Sequence, residues 1–262
     1  MKIIKSKFLR IAIIVIFFAA SFIIWKEKSE APVLRENNLP AGEENYSAEK
    51  IDSVVISQEE RSNNSEKKEE ITKIPDKFFI KVPFTTQAPF KIWDEYHEEA
   101  CEEASLLMVK YFNDNKKLNP EIAEKEIQAM IKFQLKKYGD YRDSNAEELV
   151  RLAKDFYGME NLSVVHDFSK EDLKKWLTKG KPIIVPAAGR LLHNPNFTYP
   201  GPLYHNLVLT GYAGEEIITN DPGTRKGENY RYNIKVLYEA IHDFPGKKEE
   251  INKGRKAMIV LD

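Results

Sequence analysis

The pattern of apolar and polar positions divides the chain into three parts. Apolar residues fill most of positions 8–25, are scattered among Glu, Lys, Ser and Asn over 26–75, and recur with regular periods from 76 to 262. A segment as polar as 26–75 cannot bury enough surface to offset the entropy lost on ordering, so we predict a flexible linker there. Residues 76–262 are predicted to form one folded domain, because their number lies within the usual range for a single domain.

The first half of the predicted domain has a helical period. Apolar residues recur three and four positions apart, and each segment begins with a capping residue and ends near a glycine or a polar turn. Two of the helix starts carry the pattern of a capping box, at Ser144–Glu147 and Ser169–Asp172. The helices are predicted at Glu98–Asn113, Asn119–Tyr138, Ser144–Gly158 and Ser169–Gly180, after a strand at Phe78–Val82.

The second half has the composition and the short period of strands, rich in Val, Ile, Leu and Tyr. One short helix, near Val236–Ile241, interrupts them. Helices first and strands later predict an α+β domain with an antiparallel sheet rather than alternating βαβ units. The strands are predicted at Leu162–Val165, Pro182–Ala187, His205–Tyr212, Glu216–Thr219, Tyr230–Tyr232 and Ala257–Leu261.

Residues 1–25 combine a basic start with a continuous apolar run, so they form either a signal peptide or an uncleaved signal anchor. Small residues Ala19 and Ser21 suit cleavage, but the apolar run continues to Trp25, which favours the anchor. The basic residues precede the run, and the positive-inside rule then places the rest of the chain outside the cytoplasm. We therefore expect a single-pass cell-membrane protein with an extracytoplasmic catalytic domain, or a secreted protein.

The charge balance excludes one class of partner, and the cysteine count excludes one class of site. With 40 basic and 41 acidic residues the net charge is -1, which does not favour a nucleic-acid partner. The single cysteine excludes an intramolecular disulfide and every zinc site with several cysteines. His97 and Cys101 have the spacing of a zinc-binding helix, but no third ligand is identifiable. We predict no metal and no cofactor.

The single cysteine, Cys101, lies where the pattern predicts a loop turning into a helix. The positive end of a helix dipole lowers the pKa of a thiol, and the first-turn N–H groups can bind an oxyanion. His205 begins one predicted strand, and Asp221 follows the next strand after a tight turn. If these strands are adjacent and antiparallel, their spacing of about 5 Å brings carboxylate and imidazole together. The pattern predicts the nucleophile system of a cysteine hydrolase.

Other residues extend this hypothesis, and several have ordinary structural interpretations. Gln87 precedes Cys101 at a distance that suits a side-chain oxyanion donor. Asp221 before Pro-Gly is also a common turn signature, so Asn220 is an alternative orienting residue. Cys101 itself could be an inert core residue. Trp93 and the loop 191–202, rich in Pro, Asn and aromatic residues, could line a groove for an extended peptide.

Four short blocks resemble a known family when taken in order. They are Val82–Gln87, Glu99–Ser105, Tyr204–Tyr212 and Asn220–Pro222. Over 76–262 the chain resembles the bacteriocin-processing-type, papain-like cysteine peptidases in their stand-alone bacterial branch. The resemblance implies a papain-like fold and hydrolysis of a peptide or protein substrate through a thioester. It assigns the nucleophile to Cys101, the general base to His205, the orienting acid to Asp221 and the oxyanion donor to Gln87.

The chain departs from that family pattern in two ways. Many members carry a small residue beside the cysteine, whereas Glu99, Glu102 and Glu103 surround Cys101 here and should oppose thiolate formation. The given sequence also carries no transporter or nucleotide-binding domain, so cleavage coupled to export is not carried over. Two alternatives stay open: a peptidoglycan amidase or transglutaminase-like acyl transferase, and a non-catalytic peptide-binding surface module.

Overall fold

A computed structural model describes residues 74–262 of the chain. The predicted signal segment, 1–25, and nearly all of the predicted linker, 26–75, lie outside the described residues. The strands are β1 Lys77–Phe79, β2 Leu162–His166, β3 Ile183–Ala188, β4 Tyr204–Ala213, β5 Glu216–Asn220, β6 Tyr230–Asn233 and β7 Ala257–Leu261. The helices are α1 Glu95–Glu98, α2 Cys101–Asn113, α3 Pro120–Lys137, α4 Ala146–Tyr157, α5 Lys170–Leu177 and α6 Ile234–Ala240, with short 3₁₀ helices at Gly189–Leu192 and Lys248–Lys253.

The strands form one antiparallel sheet in the order β2-β7-β3-β4-β5-β6. β1 pairs with Gly211–Ala213 of β4. The same stretch of β4 pairs with β5 on its other edge, so β1 and β3 lie on the same edge of β4. The fold therefore confirms the predicted α+β class, with helices preceding most of an antiparallel sheet.

Helix α2 is the central element of the core. It packs against β3 and β4 on one side and against α3 and α4 on the other. Leu106, Leu107 and Met108 are fully buried along it, and each such side chain contributes roughly 1.5–3 kcal/mol by leaving water. Packing on several sides fixes the position of the helix, and with it the position of its first residue, Cys101.

The structure corrects the predicted start of this helix, since Glu98 is not part of it. Asp94 caps a separate short helix, α1, by accepting hydrogen bonds from two backbone N–H groups. The backbone then leaves the helical path at Glu99, and α2 begins at Cys101. Helical periodicity cannot detect this interruption, because both pieces have the same period. The interruption makes the cysteine a true helix N-terminal residue.

Other boundaries differ by a few residues. The first capping box joins Asn145 and Glu148 rather than Ser144 and Glu147, because the helix begins at Ala146 and Asn is as good an N-cap as Ser. The second box, Ser169 with Asp172, is confirmed. β1 is shorter than the predicted strand and ends at Phe79. Within residues 74–262, none of the helices combines the length and apolarity that crossing a membrane requires.

Candidate active site

The Cys101 thiol lies at the N-terminus of α2 and is almost completely buried. Its Sγ atom donates a hydrogen bond to Oε2 of Glu102 over 3.0 Å. In the described part of the chain, this contact takes the place of a hydrogen bond between the thiol and the His205 ring. Burial, followed by the charge and the hydrogen bond of Glu102, raises the pKa of the thiol well above its usual value. The thiol is therefore held in its protonated form.

His205 and Asp221 are brought together by the pairing of β4 and β5. The register places Val208 opposite Asn220, so Asp221 continues the ladder opposite Leu207, diagonally across from His205. The Nε2 atom of the His205 ring lies 2.8 Å from Oδ1 of Asp221. Both side chains are buried. With Nε2 engaged, Nδ1 is the ring nitrogen left to receive a proton from a thiol.

Asp221 accepts hydrogen bonds from groups on three sides. The hydroxyl of Tyr232 donates to Oδ2 over 2.6 Å, the amide of Asn194 donates to the same oxygen over 3.2 Å, and the N–H of Gly223 donates to Oδ1 over 2.9 Å. Burial alone would raise the pKa of Asp221, but the charge of His205 and these donors hold that pKa below its usual value. The carboxylate therefore remains ionised and orients the imidazole.

Two neighbours fix the plane of the His205 ring. The ring of Phe197 meets it edge to face, with centroids 5.3 Å apart. Gly223 passes so close that an added Cβ atom would lie 2.8 Å from Cε1 of His205 and 3.0 Å from the Phe197 ring. The absence of a side chain at Gly223 is therefore required for the ring to occupy this position.

Gln87 lies in the same cleft but its amide is already engaged. Its Nε2 donates to the backbone carbonyls of His97 over 2.8 Å and Glu98 over 3.1 Å. Its Oε1 is buried and has no hydrogen-bond partner among the described residues. The backbone N–H of Gln87 donates to the carbonyl of Pro222, which joins this side of the cleft to the loop after Asp221. The role of oxyanion donor stays a prediction.

A cleft of about 550 Å³ contains Cys101, His205 and Gln87. Trp93 lines it, as the sequence predicted for a groove wall, and the loop 191–202 also contributes to the lining. That loop lines the cleft through Asn196, Phe197, Thr198 and Pro202, whereas His193 is exposed and lies outside the lining. The remaining lining residues are Glu98, Tyr204, Gly223, Thr224, Arg225 and Lys226.

The three glutamates near Cys101 have different environments. Glu99 forms an ion pair with Lys248 over 2.7 Å at the surface, so its charge is compensated. Glu102 and Glu103 are fully buried in the first turn of α2. Burial raises the pKa of Glu103 to about 7 and raises the pKa of Glu102 well above its usual value, with the neighbouring carboxyl adding to the rise for Glu102. Only these two bear on the thiol.

Several residues of the site were not predicted from the sequence. Asn194, Phe197, Tyr232 and Gly223 support the His205–Asp221 pair, yet they come from separate loops and strands. The signal for Tyr232 was its alternation in strand β6, which faces it inward, but the alternation does not name its partner. Asn220, the alternative orienting residue, instead donates to the carbonyl of Val82. Asp221 is therefore the side chain that reaches His205.

The comparison with protein families agrees with a fold that combines helices with an antiparallel sheet and with a cleft that contains a cysteine and a histidine. The model of the Peptidase_C39 like family matches residues 79–245. The chain belongs to this family, and membership indicates a cysteine peptidase. No curated protein matches the chain.

Three solved structures are similar to the chain. A protein described as a C39-like peptidase from Bacillus anthracis is 16% identical with a TM-score of 0.47, and the match covers 72% of this chain and 98% of that chain. A double glycine motif protease from an AMS/PCAT transporter, in complex with the leader peptide, is 18% identical with a TM-score of 0.36, covering 70% and 91%. The peptidase domain of Streptococcus ComA, a bifunctional ABC transporter, is 14% identical with a TM-score of 0.37, covering 69% and 97%.

Proposed function

We propose that this chain is a cysteine peptidase that hydrolyses peptide bonds through a thioester on Cys101. One observation carries the proposal: His205, paired with the buried Asp221 behind it, lines the same cleft as a cysteine at a helix N-terminus. A nucleophile, a base in the same cleft and an ionised group that orients the base are the parts that covalent catalysis by a thiol needs. Family membership supports the same reaction class.

The reaction begins when the thiol turns from Glu102 towards His205. Nδ1 of His205 takes the thiol proton, and Sγ attacks the carbonyl carbon of the substrate. The oxyanion would be stabilised by backbone N–H groups at the N-terminus of α2, the end of the helix that carries Cys101. The protonated His205 then donates its proton to the leaving amine, and a thioester remains on Cys101. Water, activated by His205, hydrolyses the thioester and restores the thiol.

The shape of the cleft suits an extended peptide. Trp93, Phe197 and Pro202 give its lining aromatic and apolar surface. Arg225 and Lys226 are exposed at the cleft and carry positive charge. Clefts that combine apolar walls with a few polar groups bind ligands well. We therefore propose a peptide or protein substrate.

We propose in addition that the reaction takes place outside the cytoplasm. The support is the basic, then apolar, segment 1–25, read as a signal anchor or signal peptide. An anchor would hold the domain at the cell membrane through the polar segment 26–75, and cleavage would release it. Protease accessibility of the domain in intact cells tests this part of the proposal. Digestion only after lysis would contradict it.

Removal of the thiol tests the proposed reaction. We expect Cys101→Ala in the full chain to lose hydrolysis of a peptide library by at least about 10³-fold, because no thioester can form. Retention of the fold is checked by circular dichroism, and Glu99→Gln serves as a nearby variant that leaves the thiol in place. Full cleavage by Cys101→Ala would contradict the proposal.

The thiol geometry also favours a second candidate, a peptide-binding module without catalysis. The thiol is hydrogen bonded to Glu102 and its pKa is raised, as expected for a cysteine that does not act as a nucleophile. This candidate predicts that library peptides bind the wild-type chain and Cys101→Ala equally, and that neither cleaves them. Cleavage by the wild-type chain alone would exclude it.

A further inference from the structure

Glu102 is a buried acidic residue in direct contact with the nucleophile, and the reaction above does not use it. Its Oε2 accepts the thiol hydrogen bond, and the residue is 1% exposed. We propose that Glu102 is a positioning residue that holds the Cys101 thiol protonated and turned away from His205 until substrate arrives. This inference rests on the proposed function, because it assigns a resting state to the same nucleophile.

Among residues 74–262, no ion pair joins Glu102 to a cation, and the main electrostatic influences on it are acidic groups or the thiol. On its own helix they are Cys101 and the buried Glu103, whose Oε1 accepts a hydrogen bond from Gln134. From other elements, Asp143 and the Tyr204 hydroxyl face it, and that hydroxyl donates to the carbonyl of Ser144.

The ammonium group of Lys248 binds the neighbouring carboxylates Glu99 and Asp143 instead. It pairs with Glu99 over 2.7 Å and with Asp143 over 3.1 Å. A buried carboxylate without a cation stays charged only at a cost, and a second negative charge on the thiol would add to it. The arrangement therefore favours a state in which the thiol and the carboxyl together keep at least one proton.

Several buried polar atoms on α2 and on the neighbouring strand β4 lack hydrogen-bond partners among the described residues. Oε1 of Glu102, Oε2 of Glu103, Oγ of Ser105 and Nδ2 of Asn206 are buried without a hydrogen-bond partner among the described residues. The backbone N–H of Asn206 also approaches the thiol and favours its thiolate form. Buried polar atoms without partners are costly and are rare in settled interiors. This region is thus suited to a side-chain rearrangement that the His205–Asp221 pair does not need.

The proposed rotation of the thiol from Glu102 to His205 neither adds nor removes a proton overall. In the resting state the thiol proton lies between Sγ and Oε2. When the thiol turns, the proton leaves with the sulfur and is transferred to Nδ1 of His205, so Glu102 ends with the protonation state in which it began. Glu102 itself never touches the substrate, and its effect is exerted through the thiol.

The test compares Glu102→Gln with Glu99→Gln in the full chain. Both variants remove one carboxylate close to Cys101, but Glu99 pairs with Lys248 at the surface and makes no hydrogen bond to the thiol. The rate of alkylation of Cys101 by iodoacetamide is measured from pH 5 to pH 10. We expect Glu102→Gln to lower the apparent pKa of the thiol and to raise the alkylation rate at pH 7 by about tenfold, the equivalent of one pKa unit.

Glu99→Gln should have a profile close to that of the wild-type chain. A Glu102→Gln profile that matches Glu99→Gln would overturn the inference, and so would slower alkylation, which would make Glu102 an activating base. If Glu102→Gln does not fold, the wild-type profile still decides: an apparent thiol pKa below about 8.5 would contradict a thiol held by a carboxylate. Alkylation needs no turnover, so a failure of the proposed peptidase activity would be seen separately.

Discussion

The two halves of the candidate site lie on different parts of the fold and are stabilised differently. The base half stands on the sheet, where His205 and Asp221 pair over 2.8 Å and every oxygen of Asp221 has a donor. The nucleophile half lies on the first turn of α2, where Cys101 contacts Glu102 and one oxygen each of Glu102 and Glu103 lacks a partner within residues 74–262. Both carboxylate oxygens of Asp221 in the base half have donors, whereas the carboxyl groups of the nucleophile half each keep an oxygen without a partner among the described residues.

This difference shows which part of the candidate site is held rigidly. A base must present one ring nitrogen in one direction, so its ring is fixed by Asp221, Phe197 and Gly223. A thiol needs only a rotation about one side-chain bond to leave Glu102, and such rotations are fast. We infer that the base half is assembled before substrate arrives and that the nucleophile half is completed by it.

The largest expected effect comes from removing the charge of the base half. We predict that Asp221→Asn lowers kcat by about 10³-fold, because the amide no longer stabilises a protonated His205 or fixes its tautomer. Asp243→Asn is the matched control, since Asp243 is a partly buried carboxyl that accepts from backbone N–H groups outside the cleft. Peptide hydrolysis checks both variants. Equal rates of peptide hydrolysis by the two variants would show that Asp221 contributes no more to catalysis than a carboxyl group outside the cleft.

A smaller loss is expected from displacing the His205 ring without altering its chemistry. Gly223→Ala would place a methyl group 2.8 Å from Cε1 of His205, and we predict a loss in kcat of about 10²-fold, the effect of a displacement near 1 Å. Gly214→Ala, in the β4–β5 turn, meets no atom within 4 Å but strains the backbone because the φ of Gly214 is 56°, so it tests whether lost stability away from the site lowers kcat. Normal kcat in Gly223→Ala would show that the ring position is not as tightly fixed as the structure indicates.

The smallest effect is expected at Tyr232, which donates one of the hydrogen bonds to Asp221. Tyr232→Phe should lower kcat by about tenfold, the value of one hydrogen bond to a charged group. Loss of this donor should also raise the pKa of Asp221, which is held low in the wild-type chain.

The pH dependence of Tyr232→Phe follows from that sign. A carboxyl group whose pKa is lower in the folded chain stabilises the fold at pH values above its pKa in the unfolded chain, which is near 3.9. This stabilisation is lost as the pH falls through the pKa of the folded chain. Tyr232→Phe should therefore lose both activity and thermal stability at a higher pH than the wild-type chain on acidification. Identical acid limbs in the two proteins would show that Tyr232 does not support the charge of Asp221.

The sequence predicts the base half better than the nucleophile half. His205 lies on β4 and Asp221 directly follows β5, and a tight turn joins these two strands, so local order along the chain is enough to bring the residues together. The break before Cys101 depends on Asp94 as a cap and cannot be found from periodicity. The contacts of Asn194 and Tyr232 with Asp221 join residues 27 and 11 positions apart, and such pairs are set by tertiary packing.

The glutamates around Cys101 also show which features of the site the sequence predicts and which it does not. Their clustering around Cys101 is visible in the sequence, and so is the expected resistance to thiolate formation. Which glutamate acts on the thiol is not visible, because it depends on side-chain direction in the first turn of the helix. The structure separates Glu99, paired at the surface, from Glu102, in contact with the thiol.

The central claim is that a covalent thioester forms on Cys101. The most direct measurement is mass spectrometry of the full chain, quenched in acid during turnover of a cleaved peptide and then digested. We predict an acyl group on the fragment that contains Cys101, and accumulation of that species when deacylation is slowed by acidic pH. Cleavage that proceeds with no acyl group on that fragment, at any pH or quench time, would contradict the account.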